Sequence, residues 1–262
     1  MGVIPVGRES EFPFSVPAIA SLASSEVTFS SPVTFLVGEN GSGKSTLLEG
    51  LASAAGSITV GSAPTQHDPT FEAGRALGRA LKLQWSKRTH RGFFMRAEDF
   101  FGYAKWMDQI ARELAEDLQT VRDDPTLSNA ARQFGQVAYA NESAALKRRY
   151  GDGLDARSHG EAFLTLFQSR FAPNGLYLLD EPEAPLSPTR QLSLIAMLKM
   201  MVNEGNAQFI IATHSPILMA FPGATIYAFE NGRIEPTSYH QVEHVAVTKQ
   251  FLDDPDAFLR HL

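Results

Sequence analysis

The stretch "GENGSGKST", residues 38–46, decides the fold of this chain. It fits the pattern G-x-x-x-x-G-K-[ST], with Gly38, Gly43, Lys44 and Ser45 at the fixed positions. Glycines let backbone N–H groups curl around phosphate oxygens without Cβ clashes. A helix starting behind the loop adds the positive end of its dipole. Lys44 would bring charge to the β- and γ-phosphates of a nucleotide, and Ser45 a hydroxyl to Mg²⁺. Glu39, Asn40, Gly41, Ser42, Gly43, Lys44, Ser45 and Thr46 are therefore candidate nucleotide-binding residues.

The surroundings agree. The apolar run "VTFLV" (33–37) precedes the loop, and the helical pattern "STLLEGLASAA" (45–55) follows it. Two more apolar runs, "LYLLD" (176–180) and "QFIIAT" (208–213), are short enough for buried strands. Between them, Leu194, Met197, Leu198, Met201 and Val202 fall at helical spacing, as the core-facing side of a helix would. Strand, helix, strand with fully apolar strands predicts an α/β fold with a covered parallel sheet.

The middle of the chain differs. Met107, Ile110, Ala111, Leu114 and Leu118 form a second helical stripe, and "TVRDDPTLSNAARQFGQ" (120–136) reads as a polar loop. The predicted organisation is one domain over 1–262. Its core is at about 1–97 and 173–262, and a helical lobe at about 98–172 is inserted between strands. The tail "HQVEHVAVTKQFLDDPDAFLRHL" (240–262) reads as helix, turn, helix, expected to pack on the core.

Composition narrows the function. With 262 residues, 44% of them hydrophobic, the chain can bury a sizeable core. A formal net charge of −6 argues against a generally basic nucleic-acid binder. The absence of cysteine excludes disulfides, thiolate metal sites and cysteine nucleophiles. There is no signal-like N-terminus and no run of about 18 apolar residues, so a cytoplasmic location without membrane insertion is expected.

The strand "LYLLD" ends in two acids, Asp180 and Glu181. Downstream of a phosphate loop, Asp180 can hold Mg²⁺ and Glu181 can orient or deprotonate an attacking water. His214 ends the next apolar strand, in "IIATHSP", and is expected to face the γ-phosphate. The other six histidines have no such placement.

Taken in order, GENGSGKST, SHGE, LLDEPE and THS resemble the ATP-binding cassette (ABC) ATPase superfamily. Ser158 precedes Asp180 by 22 residues, and His214 follows it by 34. The resemblance covers roughly residues 26–235, nearly the whole chain, so no fused nuclease domain is expected. It implies a P-loop NTPase fold with a RecA-like core and an inserted helical lobe. It also implies ATP and Mg²⁺ as ligands, and ATP held between two subunits of an ATP-dependent homodimer. Ser158, Gly160 and Glu161 match the signature that caps the γ-phosphate of the opposite subunit, with His159 in place of a glycine and Glu161 in place of glutamine. Ser158 and Glu161 also have capping-box spacing, and the two readings are compatible.

Three departures shape the expectation. Ser187 stands where transporters usually carry an aspartate after "DEPxxxL", and "DEPEAPLSP" looks more like the soluble AAA-type ATPases of the ABC class, including relatives of DNA-repair and phage-defence ATPases. In "RGFFMRAEDFF", Glu98 occupies the position of the glutamine that serves the metal, with Gln66 a weaker candidate. For the adenine-stacking aromatic, Phe12 and Phe14 are candidates, although "EFPFSVP" (11–17) also reads as an edge strand. Two basic clusters, "KLQWSKRTHR" (82–91) and "LKRRY" (146–150), offer a nucleic-acid contact with Trp85 or Tyr150 stacking, against the default of a solvated face. The expected activity is ATP hydrolysis coupled to nucleic-acid or partner-protein remodelling, and the alternative is the ATP-hydrolysing subunit of a membrane transporter.

Overall fold

The structure is a computed structural model that describes residues 10–59, 71–123 and 159–260, together with residues 128, 133 and 137. It divides into two compact units, one comprising residues 1–97 and 172–262 and the other residues 98–171.

The first unit is built on a seven-stranded sheet. In chain order the strands are β1 (Val33–Val37), β2 (Ile58–Thr59), β3 (Gly92–Arg96), β4 (Leu176–Asp180), β5 (Gln208–Ala212), β6 (Thr225–Glu230) and β7 (Arg233–Thr237). Their spatial order is β2-β3-β4-β5-β1-β6-β7. β1 pairs in parallel with β5 and β6, and the only antiparallel pair described is β6 with β7. That hairpin turns on Asn231 and Gly232, both at positive φ (50° and 71°), as a two-residue turn matched to strand twist requires.

Helices α1 (Pro17–Ser21), α2 (Lys44–Ala55) and α3 (Glu72–Ala80) belong to this unit, and residues of all three join its core cluster. Leu36, Phe94, Leu178 and Ile210 of the sheet lie in that cluster with Leu47, Leu48 and Leu51 of α2. Their neighbours of opposite parity, among them Phe35, Tyr177, Leu179, Phe209 and Ile211, are just as buried. Both faces of the sheet are thus covered, which is why its strands carry continuous apolar runs instead of alternation. Phe93, Tyr177 and Phe209 sit side by side in register, with ring centroids 5.1 and 5.0 Å apart. Helix α6 (Pro188–Gly205) buries Leu194, Met197, Leu198 and Met201 of the stripe read from the sequence, while Val202 is half-buried.

One residue sets the entry to β3. Gly92 has φ 103°, and a Cβ there would lie 1.8 Å from the Leu176 carbonyl oxygen. Gly92→Ala is expected to cost about 3 kcal/mol or more, a fall in Tm of roughly 6–12 °C. Thermal unfolding checks this, and a Tm within about 2 °C of wild type would mean that the strand entry rearranges freely.

The second unit contains α4 (from Ala97 to Asp123) and α5 (His159–Ser169). The two meet through Phe100 and Phe163, edge to face at 5.2 Å, and Phe163 stacks with Phe167 at 6.3 Å. Helix α4 extends through residues 120–123, the start of the expected loop, because Val121 and its neighbours continue the helical path. The side chains of Met107, Ile110, Ala111, Leu114 and Leu118 lie outside the described residues, as does the cluster 146–150.

Two other expectations are corrected. Residues 11–17 form turns leading into α1, not an edge strand, with Pro17 in the first turn where a missing N–H costs nothing. The tail does form α8 (Glu243–Asp253) and α9 (Pro255–Leu259), after a short α7 (Pro216–Met219). Only Val245 of α8 is buried, however, and no residue of α9 is, so the second tail helix does not pack on the core. It leans on the first through Phe251 and Phe258, 5.7 Å apart.

Candidate functional site

β1, β4 and β5 are adjacent and parallel, with Asp180 opposite Ala212 and Leu36 opposite Ala212 in register. Whatever follows their C-terminal ends therefore shares one edge of the sheet. The 38–46 loop follows β1, Asp180 and Glu181 end β4, and Thr213 and His214 follow β5. The parallel topology thus brings together three segments that lie far apart in sequence.

The loop needs its glycines for different reasons. Gly38, at φ 144°, passes so close to β6 that a Cβ would lie 2.8 Å from the Phe229 carbonyl oxygen, and Gly43, at φ 104°, faces Val16 at 2.9 Å. Gly43 is also the N-cap of α2, with no side chain capping the helix. The N–H groups of the first turn are left for an anion, the arrangement that favours phosphate. Lys44 is buried, and its Nζ donates to the carbonyls of Gly38 (2.7 Å) and Glu39 (2.8 Å). Burial lowers its pKa, against the opposing pull of Glu181, Asp180 and Glu183. A lysine reaching back across its own loop holds the loop open and keeps a cation at its mouth.

The acids divide by environment. Asp180 is 8% exposed, and burial raises its pKa to about 6 despite the hydrogen bond from Ser45 Oγ to its Oδ1 (3.1 Å). Among the described residues no three histidine or acidic groups cluster to hold a metal. Ser45 and Asp180 nonetheless suit Mg²⁺, which takes one or two protein oxygens and completes its shell with phosphate and water. A desolvated carboxylate beside a hydroxyl is the expected donor set for that use. Glu181 adopts a left-handed φ of 50°, costly for a non-glycine residue, while its N–H donates to the Ala212 carbonyl at 2.9 Å. Its carboxylate is nearly half exposed and lies 3.7 Å from His214 Nε2.

The Asp180 environment yields a pH prediction for the ligand-free protein. A carboxylate whose folded pKa is raised takes up a proton on folding between about pH 3.8 and 6. The penalty is absent below that window and grows to about 3 kcal/mol above it. Asp180→Asn is therefore expected to raise the Tm at pH 8, with the gap closing as pH falls below 6 and gone near pH 4. A gap of constant size across a pH series of thermal melts would sink this reading.

His214 is fixed from two sides. Its backbone N–H donates to Glu183 Oε1 at 2.7 Å, and its Nδ1 lies 2.9 Å from Nε2 of His244 at the start of α8. Burial, then Lys44 and His244, lower its pKa, with Glu181 acting the other way. Burial likewise raises the pKa of Glu183. Sequence reasoning assigned nothing to Glu183 or His244. The second acid of "DEPE" was a visible signal for Glu183. His244, 30 residues from His214, carried none.

The remaining candidates are less joined. Glu98 sits in the first turn of α4, in the second unit. Gln66 and Ser158 lie outside the described residues, and Gly160 and Glu161 are described only as backbone of α5, which starts at His159. Phe14 is 2% exposed in the core and cannot stack on a base, while Phe12 is 65% exposed. Neither lines the cleft of about 550 Å³ that opens beside the loop between Pro17, Asn40, Gly232 and His244. The cluster 82–91 lies at the N-terminal edge of the sheet, opposite the loop, where Lys87 and Arg91 hydrogen-bond to Asn174 and the Pro173 carbonyl. Trp85 is half-buried and packs against the core cluster from the side.

Comparison with known proteins finds similarity to AAA domains and to ATP-binding proteins. A family model described as "AAA domain" matches residues 17–135. A second AAA-domain model, whose description also names the AbiEii toxin and Type IV TA systems, matches residues 109–220. The thiamine import ATP-binding protein ThiQ of Vibrio vulnificus is 26% identical over 183 residues, covering 70% of this chain and 69% of that protein. The cobalt import ATP-binding protein CbiO of Salmonella typhimurium is 27% identical over 218 residues, covering 78% and 69%. Among solved structures, an ATP-binding cassette dimer in a post-hydrolysis state with ADP and Pi is 16% identical, covers 82% of this chain and 88% of that one, and has a TM-score of 0.41. A Smc head domain from Pyrococcus furiosus is 14% identical, covers 87% and 94%, and has a TM-score of 0.44. At these TM-scores the structural likenesses add nothing to the strand order described above. Among the described residues no helix is long and apolar enough to cross a membrane.

Proposed function

We propose that this chain, which carries an AAA-type ATPase domain related to ABC ATP-binding proteins, hydrolyses Mg–ATP in the cytoplasm as a closing homodimer whose cycle remodels nucleic acid or a partner protein. The observation that carries the reading is the gathering of Lys44, Ser45, Asp180, Glu181 and His214 at the C-terminal ends of three neighbouring strands.

The residues divide the work. Loop N–H groups and Lys44 bind the β- and γ-phosphates. Ser45 and Asp180 hold Mg²⁺, whose charge offsets that of the phosphate oxygens. Glu181 accepts the proton of the attacking water, and His214 contacts the γ-phosphate. Ser158, Gly160 and Glu161 serve the nucleotide of the second subunit, the last two from the first turn of α5. Glu98 adjusts the metal, so Glu98→Gln is expected to shift the Mg²⁺ concentration giving half-maximal turnover. Superimposable Mg²⁺ titrations of the two proteins would remove Glu98 from the site.

Dimer closure is tested with Ser158→Arg on the Glu181→Gln background, where ATP should otherwise hold two subunits together. With ATP and Mg²⁺, sizing chromatography should show the parent shifting to dimer and the double variant staying monomeric with nucleotide bound. A double variant that still dimerises would reduce Ser158 to a helix cap worth about 1 kcal/mol.

A transport role has one observation in its favour, the import ATPases at 26–27% identity. Against it, Ser187 stands at the position of the transporters' aspartate and acts as the N-cap of α6, its Oγ accepting from the Arg190 N–H at 3.4 Å. Turnover measured with and without single- and double-stranded DNA, alongside purification from the native membrane fraction, separates the two. Stimulation by DNA supports the first, and stoichiometric recovery with a multi-span membrane protein supports the second.

A further inference from the structure

His214 Nε2 is buried, and among the described residues it has no hydrogen-bond partner, since the Glu181 carboxylate at 3.7 Å is out of reach. A buried polar nitrogen left open at a ligand site is available to the ligand. Its usefulness to a phosphate depends on one hydrogen. Nε2 carrying hydrogen donates to an anion, whereas Nε2 bearing a lone pair repels one. In a neutral imidazole that choice is set by whatever the other nitrogen bonds to. Here the other nitrogen, Nδ1, meets His244 Nε2 at 2.9 Å.

We propose that His244 is the positioning residue for His214: its Nε2–H donates to His214 Nδ1 and fixes the tautomer that presents Nε2–H to the terminal phosphate. This rests on the reading of His214 as the γ-phosphate contact.

The surroundings are built for such a task. His244 lies between Val242 and Val245, both buried, which anchor the first turn of α8. Just upstream, Tyr239 Oη donates to the Pro216 carbonyl at 3.2 Å, tying this segment to α7. Helix α7 follows directly after His214 and is capped by Ser215, whose Oγ accepts from the Leu218 N–H at 3.1 Å. On the other side the buried carboxylate of Glu183 holds the His214 N–H. Both backbones are therefore held on short tethers, and the rings meet at 4.7 Å between centroids. The depressed pKa of His214 keeps the ring neutral at pH 7, the state in which tautomer choice matters. A carboxylate performs the same orienting task for the histidine of serine proteases, where its loss costs about 10⁴-fold. An imidazole partner lacks the negative charge of a carboxylate, so a smaller factor is expected.

The test uses the full chain, three single variants, His244→Phe, His244→Gln and His214→Ala, and one double variant, each checked by thermal melt. Phenylalanine keeps the packing and removes the donor, while the glutamine amide restores a donor near the same place. Turnover in His244→Phe should fall by about 10-fold or more, and His244→Gln should recover to within about 3-fold of wild type. Long-range ¹H–¹⁵N correlation of the imidazoles should show His214 as Nε2–H in wild type and His244→Gln, and shifted to Nδ1–H in His244→Phe. His214→Ala combined with His244→Phe should be no slower than His214→Ala alone. Wild-type turnover in His244→Phe, or an unchanged His214 tautomer there, overturns the proposal. Should His244→Phe fail to fold, a His244→Gln protein whose His214 is Nδ1–H and whose turnover is nonetheless normal does the same. Wild-type turnover in His214→Ala would instead remove the phosphate contact itself, and the tautomer comparison still judges the role of His244.

Discussion

Glu181→Gln is expected to lower ATP turnover by about 10²–10⁴-fold while leaving Mg–ATP affinity near that of wild type. The amide has the volume of the carboxylate but cannot accept a proton from water. The loop, Lys44 and the Ser45–Asp180 pair remain to bind the phosphates, and Lys44 loses only one of three carboxylates that favour its charged form. The backbone supports a local effect, because the left-handed turn at Glu181 is held by its N–H to the Ala212 carbonyl, which the substitution keeps. The carboxylate also sits 3.7 Å from His214 Nε2. Its removal takes away the one influence raising the His214 pKa, so the ring stays neutral over a wider pH range. Single-turnover kinetics separates hydrolysis from binding. Turnover at the wild-type rate would show that another group accepts the proton.

Lys44→Ala is expected to weaken Mg–ATP binding by about 100-fold or more, the scale for removing one partner of a buried charge-assisted contact. The apo protein should stay folded. Burial already disfavours the ammonium, as its depressed pKa records. Its loss therefore removes a desolvation cost along with the hydrogen bonds to Gly38 and Glu39. Of the two freed carbonyls, that of Glu39 belongs to an exposed residue, while that of Gly38 is buried. Calorimetry with Mg–ATP reads the affinity, and a melt without nucleotide reads the fold. Undiminished affinity in a folded variant would move the nucleotide away from residues 38–46.

The sequence by itself determined the three central strands β1, β4 and β5, the phosphate loop and the placement of acids at a strand end. These are local: a strand buried on both faces must be apolar throughout, and a loop that wraps phosphate must be glycine-rich before a helix. "VTFLV", "LYLLD" and "QFIIA" needed no partner to be legible. The stripe Leu194, Met197, Leu198 and Met201 was equally so, because helical period alone exposes it. Periodicity says nothing of what lies beyond an element's end. That Phe14 enters the core through a turn, that Trp85 packs down instead of standing free, and that α9 stays off the core were decided by long-range packing. The same holds for the candidate site. Asp180 acquires its raised pKa only when the sheet and α2 shut water out around it, and a sequence carries no dielectric. Glu183 and His244 reach His214 from 31 and 30 residues away, through contacts that exist only once β4, β5 and α8 are stacked in place. Residue type and local pattern name the groups that can do chemistry, and the tertiary structure alone decides which of them touch.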